Sequence, residues 1–262
     1  GLQDSNNGML EKQFNKLWKY DAMVIFNDSS NDEEIKEYNN TLNNLKGYES
    51  KLGIHQESVT FSKEDMNKQS VTMHVPKDID KINDFILLND RKSEKEYKIS
   101  DNGVIITEKL AKLLDASVGD TITLNDEENN PYKVKVDNIC ENYFAHYIYM
   151  SPAYYEKTFG KSVNYNMELL NFDSKKSDKE LIYEFKKEIY EIELKALIPM
   201  RECIPYTKNI VENIKKLDKV NIELLKQTGA HNVVTRGKNL QVIYGPTVNL
   251  IRTEIDEYIS TL

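Results

Sequence analysis

Hydrophobic and polar positions along this chain alternate between the periods of helix and strand. Met9 to Lys19 reads as a short helix leading into a strand, Asp21 to Phe26, centred on Met23, Val24 and Ile25. Ser30, followed three residues later by Glu33, predicts a capping-box helix start. The helix after it carries Ile35, Tyr38, Leu42 and Leu45 on one face, and Gly47 ends it. Two strands follow, at Glu57–Phe61 and Val71–Val75, with the polar stretch 62–69 as a hairpin loop. A strand–helix–strand–strand unit of this kind belongs to an α+β layer.

The middle of the chain predicts a small β-rich lobe over residues 101–150. Gly103 to Ile106 is a short apolar strand. Thr107 then starts a helix with Leu110, Leu113 and Leu114 facing inward. Val118, Gly119 and Asp120 form a turn in which Gly119 supplies an unusual backbone angle. Thr121 to Leu124 alternates and puts Ile122 and Leu124 on one face. Tyr132, Val134 and Val136 alternate with Lys133, Lys135 and Asp137, the pattern of a half-buried strand. The strand His146–Met150 stops at Ser151 and Pro152, and proline in a first helical turn fits a new helix.

Farther on, Ser177 with Glu180 opens a capped helix, 178–190, with Leu181, Phe185 and Ile189 at four-residue spacing. Pro199 and Pro205 interrupt the segment that follows, and a domain boundary is placed there. The last part, 219–259, predicts helix, hairpin and helix. Gly229 stops the first helix, Val233-Val234 and Leu240–Tyr244 are the strands, and Arg236-Gly237-Lys238-Asn239 is the tight turn between them. The final helix carries Leu250, Ile251, Ile255 and Ile259 on one face.

Composition narrows the function classes. With 262 residues the chain is long for one domain of about 100–200 residues, so one elaborated domain or two smaller ones fit. Its 43 acidic residues outnumber the 35 Lys and Arg, and the formal charge of −8 argues against a duplex nucleic-acid partner, which requires clustered cations. No stretch approaches the roughly 20 apolar residues of a membrane span. No signal peptide is visible. Gly1 reads as a remnant of expression, so a membrane-bound parent implies that this is a piece of it.

Candidate chemistry is sparse. Cys140 and Cys203 are too few for a disulfide framework or a zinc cluster, and His55, His74, His146 and His231 are scattered, so no metal or cofactor is expected. There is no Walker glycine loop and no GxSxG elbow. The acidic runs, such as Asp126-Glu127-Glu128, read as solvated surface. The aromatic group Tyr143, Phe144, Tyr147, Tyr149, Tyr154 and Tyr155 has two readings: a docking surface for a substrate or partner, because Tyr is enriched at interfaces, or core packing, because alternate strand residues must face inward.

Four segments, in order, carry a resemblance: "VPKDIDKINDFILLNDR" (75–91), "DNGVIITEKLAKLL" (101–114), "VGDTITL" (118–124) and "ICENYFAHYIYMSPAYYEKTFG" (139–160). Together they resemble the large extracellular domains of FtsX-like permeases of ABC transporters in Gram-positive bacteria, over about residues 10–195. The resemblance implies an α+β fold with a MacB-like periplasmic core, a mainly antiparallel sheet and a small β-rich lobe. It also implies a domain without catalytic residues on the extracellular side of the cell membrane. Implied partners are the transmembrane part of the same permease, a cytoplasmic ABC ATPase and an external peptide, lipid or cell-wall protein. Residues 196–262 are set apart as a C-terminal segment. Within it, "KVNIELLKQTGAHNVVTRGKNLQVIYGPTVNLIRTEIDEYI" (219–259) resembles the IIB domain of the glucose-type sugar phosphotransferase system. Under that alternative the chain is a phosphoryl carrier with Cys203 as phosphoacceptor. A gapless match puts Tyr206 there instead, and Tyr cannot replace a thiolate.

Overall fold

A computed structural model describes residues 8–9, 11–26, 30–61, 69–173, 194–199, 232–236 and 239–243. Contacts divide the chain into two units, 1–201 and 202–262. In the second unit the described part is a hairpin, β10 (Asn232–Arg236) against β11 (Asn239–Ile243). In its register Arg236 stands opposite Asn239 and Val233 opposite Val242, and the expected turn residues 237–238 lie outside the described ones. The expected helices 178–190, 219–228 and 247–259 lie outside the described residues.

Among its described residues the first unit is α+β, built on nine strands: β1 (Ala22–Phe26), β2 (Tyr48–Phe61), β3 (Gln69–Pro76), β4 (Val104–Thr107), β5 (Thr121–Asn125), β6 (Pro131–Cys140), β7 (Tyr147–Tyr149), β8 (Met167–Phe172) and β9 (Leu194–Pro199). Most pairings are antiparallel; β3–β7 and β4–β6 are parallel. Helices α1 (Asp32–Asn44), α2 (Ile82–Phe85), α3 (Glu108–Leu114) and α4 (Pro152–Phe159) join them, and a π-helical turn spans Lys12–Leu17.

One long strand organises the unit. The first half of β2, Tyr48–Ile54, pairs with β8, and β8 continues to β1 and β9. The second half pairs along Ile54–Phe61 with β3, while Thr60 and Phe61 also reach β5. The neighbours β3-β7-β4-β6-β5 therefore return to β2, and six strands close into a small barrel. The β-rich lobe expected at 101–150 is completed by residues 54–61 and 69–76. Closure removes the exposed edges that an open sheet would leave.

Alternation fills the barrel. Val59 and Phe61, Val71, Met73 and Val75, Val104 and Ile106, Ile122 and Leu124, Val134 and Val136, and Ile148 and Met150 form one buried cluster, each pair or trio two residues apart. Leu110 and Ala111 of α3 and Tyr155 and Phe159 of α4 pack on the same cluster. Leu113, expected to face inward, is 37% exposed. On a helix Leu114 and Ala111 sit 40° and 100° to one side of Leu110 and Leu113 sits 60° to the other, so a face centred between Leu110 and Ala111 leaves Leu113 at its solvent edge.

On the open sheet, Tyr38 and Leu42 of α1 bury against Ala22, Val24, Leu170 and Phe172. The cap of α1 is Asn31, one residue later than the expected Ser30. Its side chain accepts from the backbone of Glu33 and Glu34, and the Glu34 carboxylate accepts from Asn31 N–H. Asn caps as well as Ser, and Glu34 stands at the same three-residue offset, so the two frames differ only in tertiary fit.

Gly103, at the entry to β4, faces the backbone of β6: an added Cβ would lie 2.6 Å from the Lys135 carbonyl oxygen. Backbone cannot give way as a side chain can. Gly103→Ala is expected to cost about 1–3 kcal/mol of stability, read by urea denaturation. A cost below about 0.5 kcal/mol would show that the two strands are not so closely apposed.

Candidate functional site

Strand β6 ends at Cys140, and residues 141–146 carry the chain across the barrel end to β7. This is where the aromatic candidates lie. Tyr149 is 2% exposed on the outer wall of the barrel, because Ile148 takes the inward position beside it. Tyr147 stacks on Tyr149 at 6.1 Å and meets Trp18 edge-on at 6.1 Å, and His74 lies 5.3 Å and 5.8 Å from the two tyrosines. Phe144, half-buried, packs at 6.1 Å from Phe14. These rings pack together where the π-helical turn and the barrel wall meet. Tyr143 faces a cleft instead.

Tyr143 is held by a polar network that joins three separate stretches of chain. Its backbone N–H donates to Gln13 Oε1 at 2.8 Å, and Gln13 Nε2 donates to Asn142 Oδ1 at 2.9 Å. Its hydroxyl donates to Glu141, 3% exposed, which also accepts from Asn89 Nδ2 at 3.0 Å and Lys16 Nζ at 3.2 Å. Burial pushes the Glu141 carboxyl up, but bonds from Tyr143, Asn89 and Lys16 outweigh it and hold the group below the usual carboxylate range. A buried carboxylate this well supplied with donors fixes the wall of the cleft.

The cleft has a volume of about 590 Å³. Among the described residues Lys12, Arg91, Lys109 and Lys112 line it together with one carboxylate, that of Glu108, a net of three positive charges. Arg91 Nε donates to both Glu108 oxygens, at 3.2 Å and 2.9 Å. Lys12, Lys109 and Lys112 make no ion pair among the described residues. Burial first and the Lys109 charge second lower the pKa of His146 nearby.

A larger cleft of about 840 Å³ lies beside α1 and β8. There Lys51, Lys77 and Lys81 are balanced by Asp78, Asp101 and Glu168. Lys51 pairs with Glu168 at 2.9 Å and Lys81 with Asp78 at 3.7 Å. This charge-balanced surface has no field of one sign to attract a charged ligand.

One constellation is unread in the sequence analysis. His55 and Glu57 are two apart on β2 and share a face of the strand. Glu57 Oε2 lies 3.0 Å from His55 Nε2 and accepts from the Tyr155 hydroxyl at 3.0 Å, while His55 Nδ1 lies 2.6 Å from the Asn164 carbonyl oxygen. The His55 bond, ahead of the opposing burial, lowers the Glu57 pKa. With both imidazole nitrogens engaged, the cluster pins α4 and the loop before β8 to β2. An H-x-E on a strand is its sequence signal. Cys140 is buried in β6, and burial pushes its thiol up to about 12. Cys203 lies outside the described residues. Among the described residues no group of three His, Cys, Asp or Glu could hold a metal ion, and no helix is long and apolar enough to cross a membrane.

No family model and no curated protein matches the sequence. Solved structures do resemble the fold. The periplasmic region of MacB from Actinobacillus actinomycetemcomitans aligns with 75% of this chain and 94% of its own, at 11% identity and a TM-score of 0.40. The extracellular domain of the ABC-type transporter YknZ from Gram-positive bacteria aligns with 69% of this chain and 98% of its own, at 15% identity and a TM-score of 0.38. A domain of a permease protein from Porphyromonas gingivalis aligns with 69% of this chain and 90% of its own, at 13% identity and a TM-score of 0.33.

Proposed function

We propose that this chain is the non-catalytic extracytoplasmic domain of an ABC-transporter permease. It sits on the extracellular side of the membrane, joined to the transmembrane part of the permease. It couples movement driven by a cytoplasmic ABC ATPase to an external peptide, lipid or cell-wall protein. Residues 1–195 form the permease domain, and residues 196–262 a C-terminal segment. One observation supports the reading above others: the four segments that carry the sequence resemblance assemble in space. Residues 75–76 end β3, 104–114 give β4 and α3, 121–124 lie in β5, and 139–160 hold the end of β6, β7 and α4. Their strand residues are staves of β3-β7-β4-β6-β5, and α3 and α4 pack on the same core, so most of the resemblance follows one packed body.

The test is the side of the membrane. Val118 is 60% exposed in the turn before β5, and Cys140 is buried and unreactive. In the full-length protein with Cys203→Ser, Val118→Cys is expected to react with a membrane-impermeant maleimide in intact cells. Labelling that appears only after lysis would overturn the extracytoplasmic assignment.

A further inference from the structure

We propose that the cleft between the N-terminal helical turn and α3 is a binding site for a phosphoryl group, with Arg91 as its bidentate anchor and Lys109 and Lys112 as flanking charges. The proposal goes beyond the permease reading and does not depend on it. It begins with charge. The chain as a whole is acidic, at −8, yet among the described residues this cleft gathers four cations from three separate stretches against one carboxylate. Four like charges held against one carboxylate among the described lining residues repel, so a concave wall that keeps them together has a field to offer an anion.

The chemistry of the donors narrows the anion. Glu108 occupies only the Nε edge of Arg91, and the two terminal nitrogens have no partner among the described residues. A planar guanidinium edge with two parallel N–H groups matches two oxygens of a phosphoryl group. Lysine ammonium groups add point charges that a phosphate with more than one negative charge uses better than a single carboxylate does. The site is also braced. Tyr143 and Asn142 in its wall are locked by Gln13, and Tyr143 by the buried Glu141, whose own charge is answered by Lys16. A cavity of about 590 Å³ holds a small phosphorylated molecule or a lipid headgroup.

The experiment uses the 262-residue chain and two probes at fixed, low ionic strength: inorganic pyrophosphate followed by calorimetry, and vesicles of phosphatidylglycerol or phosphatidylcholine followed by sedimentation. Pyrophosphate is expected to bind with a Kd of about 1 mM or tighter. Raising the salt to about 0.5 M should weaken it, because exposed charges are screened over a few ångströms there. Arg91→Gln, and separately the double substitution Lys109→Gln with Lys112→Gln, should weaken binding about tenfold or more, equivalent to about 1.4 kcal/mol. Glu108→Gln removes the competing carboxylate and frees Arg91, so it should tighten binding severalfold; a variant that merely disturbs the fold would not. Lys133→Gln with Lys135→Gln, exposed on β6 away from the cleft, should leave binding unchanged. The same pattern with phosphatidylglycerol vesicles but not with pyrophosphate would identify a lipid-borne phosphoryl group. Three results would each overturn the site: no binding of either probe, binding indifferent to Arg91→Gln and Glu108→Gln, or equal loss in the β6 double variant.

Discussion

Phe61→Ala is expected to lower the free energy of unfolding by about 3–5 kcal/mol. Phe61 is fully buried in the barrel cluster, and its position is unusual. Its backbone stands opposite Gln69 of β3 on one side and Leu124 of β5 on the other, so it sits at the seam where the ring of six strands closes. Truncation removes the ring from the core and leaves a cavity lined by strands that are tied on both sides and cannot collapse freely. Guanidinium denaturation of the wild type and variant measures the difference. Phe61→Leu, which keeps most of the volume, should lose less than about half as much. A loss near 1 kcal/mol for Phe61→Ala would mean that the barrel does not close at this residue.

The second large effect concerns Glu141. Glu141→Ala removes the common acceptor of Tyr143, Asn89 and Lys16, and is expected to cost about 3 kcal/mol at neutral pH. Lys16 keeps a third of its side chain in solvent and can rehydrate, so the cost falls toward the lower end of the range for a broken buried pair. The effect carries a pH signature. Because the folded carboxyl titrates below its unfolded value, Glu141 contributes stability that is fully present above the unfolded pKa. That contribution disappears as the pH falls through the folded pKa. The gap between wild type and variant should therefore be constant from pH 6 to 8 and shrink below about pH 4. A gap that stays constant into acid would show that the carboxylate is not held in its charged form by these donors.

Both predictions rest on contacts between residues far apart in sequence, and they mark what was legible beforehand. Period-two alternation in 121–124 and 132–136 identified barrel strands and their inward faces, because a small barrel allows only alternate side chains inside. The positive φ of 96° at Gly119 and the Ser151–Pro152 helix start were equally local, since each is set by one or two residues. The first half of β2 left no such mark. Glu49, Ser50 and Lys51 are polar, Gly53 is a poor strand residue, and the segment is extended because β8 pairs with it. Nor could alternation announce that β2 joins the open sheet and the barrel, since pairing partners are chosen by packing. The aromatic residues 143–149 were visible as a group, yet their division between a packed layer and a cleft wall depended on Trp18 and Gln13, over a hundred residues away.

The cationic cleft shows the same limit more sharply. Lys12, Arg91, Lys109 and Lys112 form no spacing pattern, and in a chain with 35 basic residues none of them stands out. By itself the sequence determined the α+β class, the capped helix beside its sheet, the lobe's inward faces and the strands of the C-terminal hairpin, all features governed by neighbours within a few residues. The closure of the barrel, the burial of Glu141 and the gathering of positive charge around Arg91 were decided only in the tertiary structure. Each depends on which distant surfaces exclude water together, and no local pattern of residues encodes that.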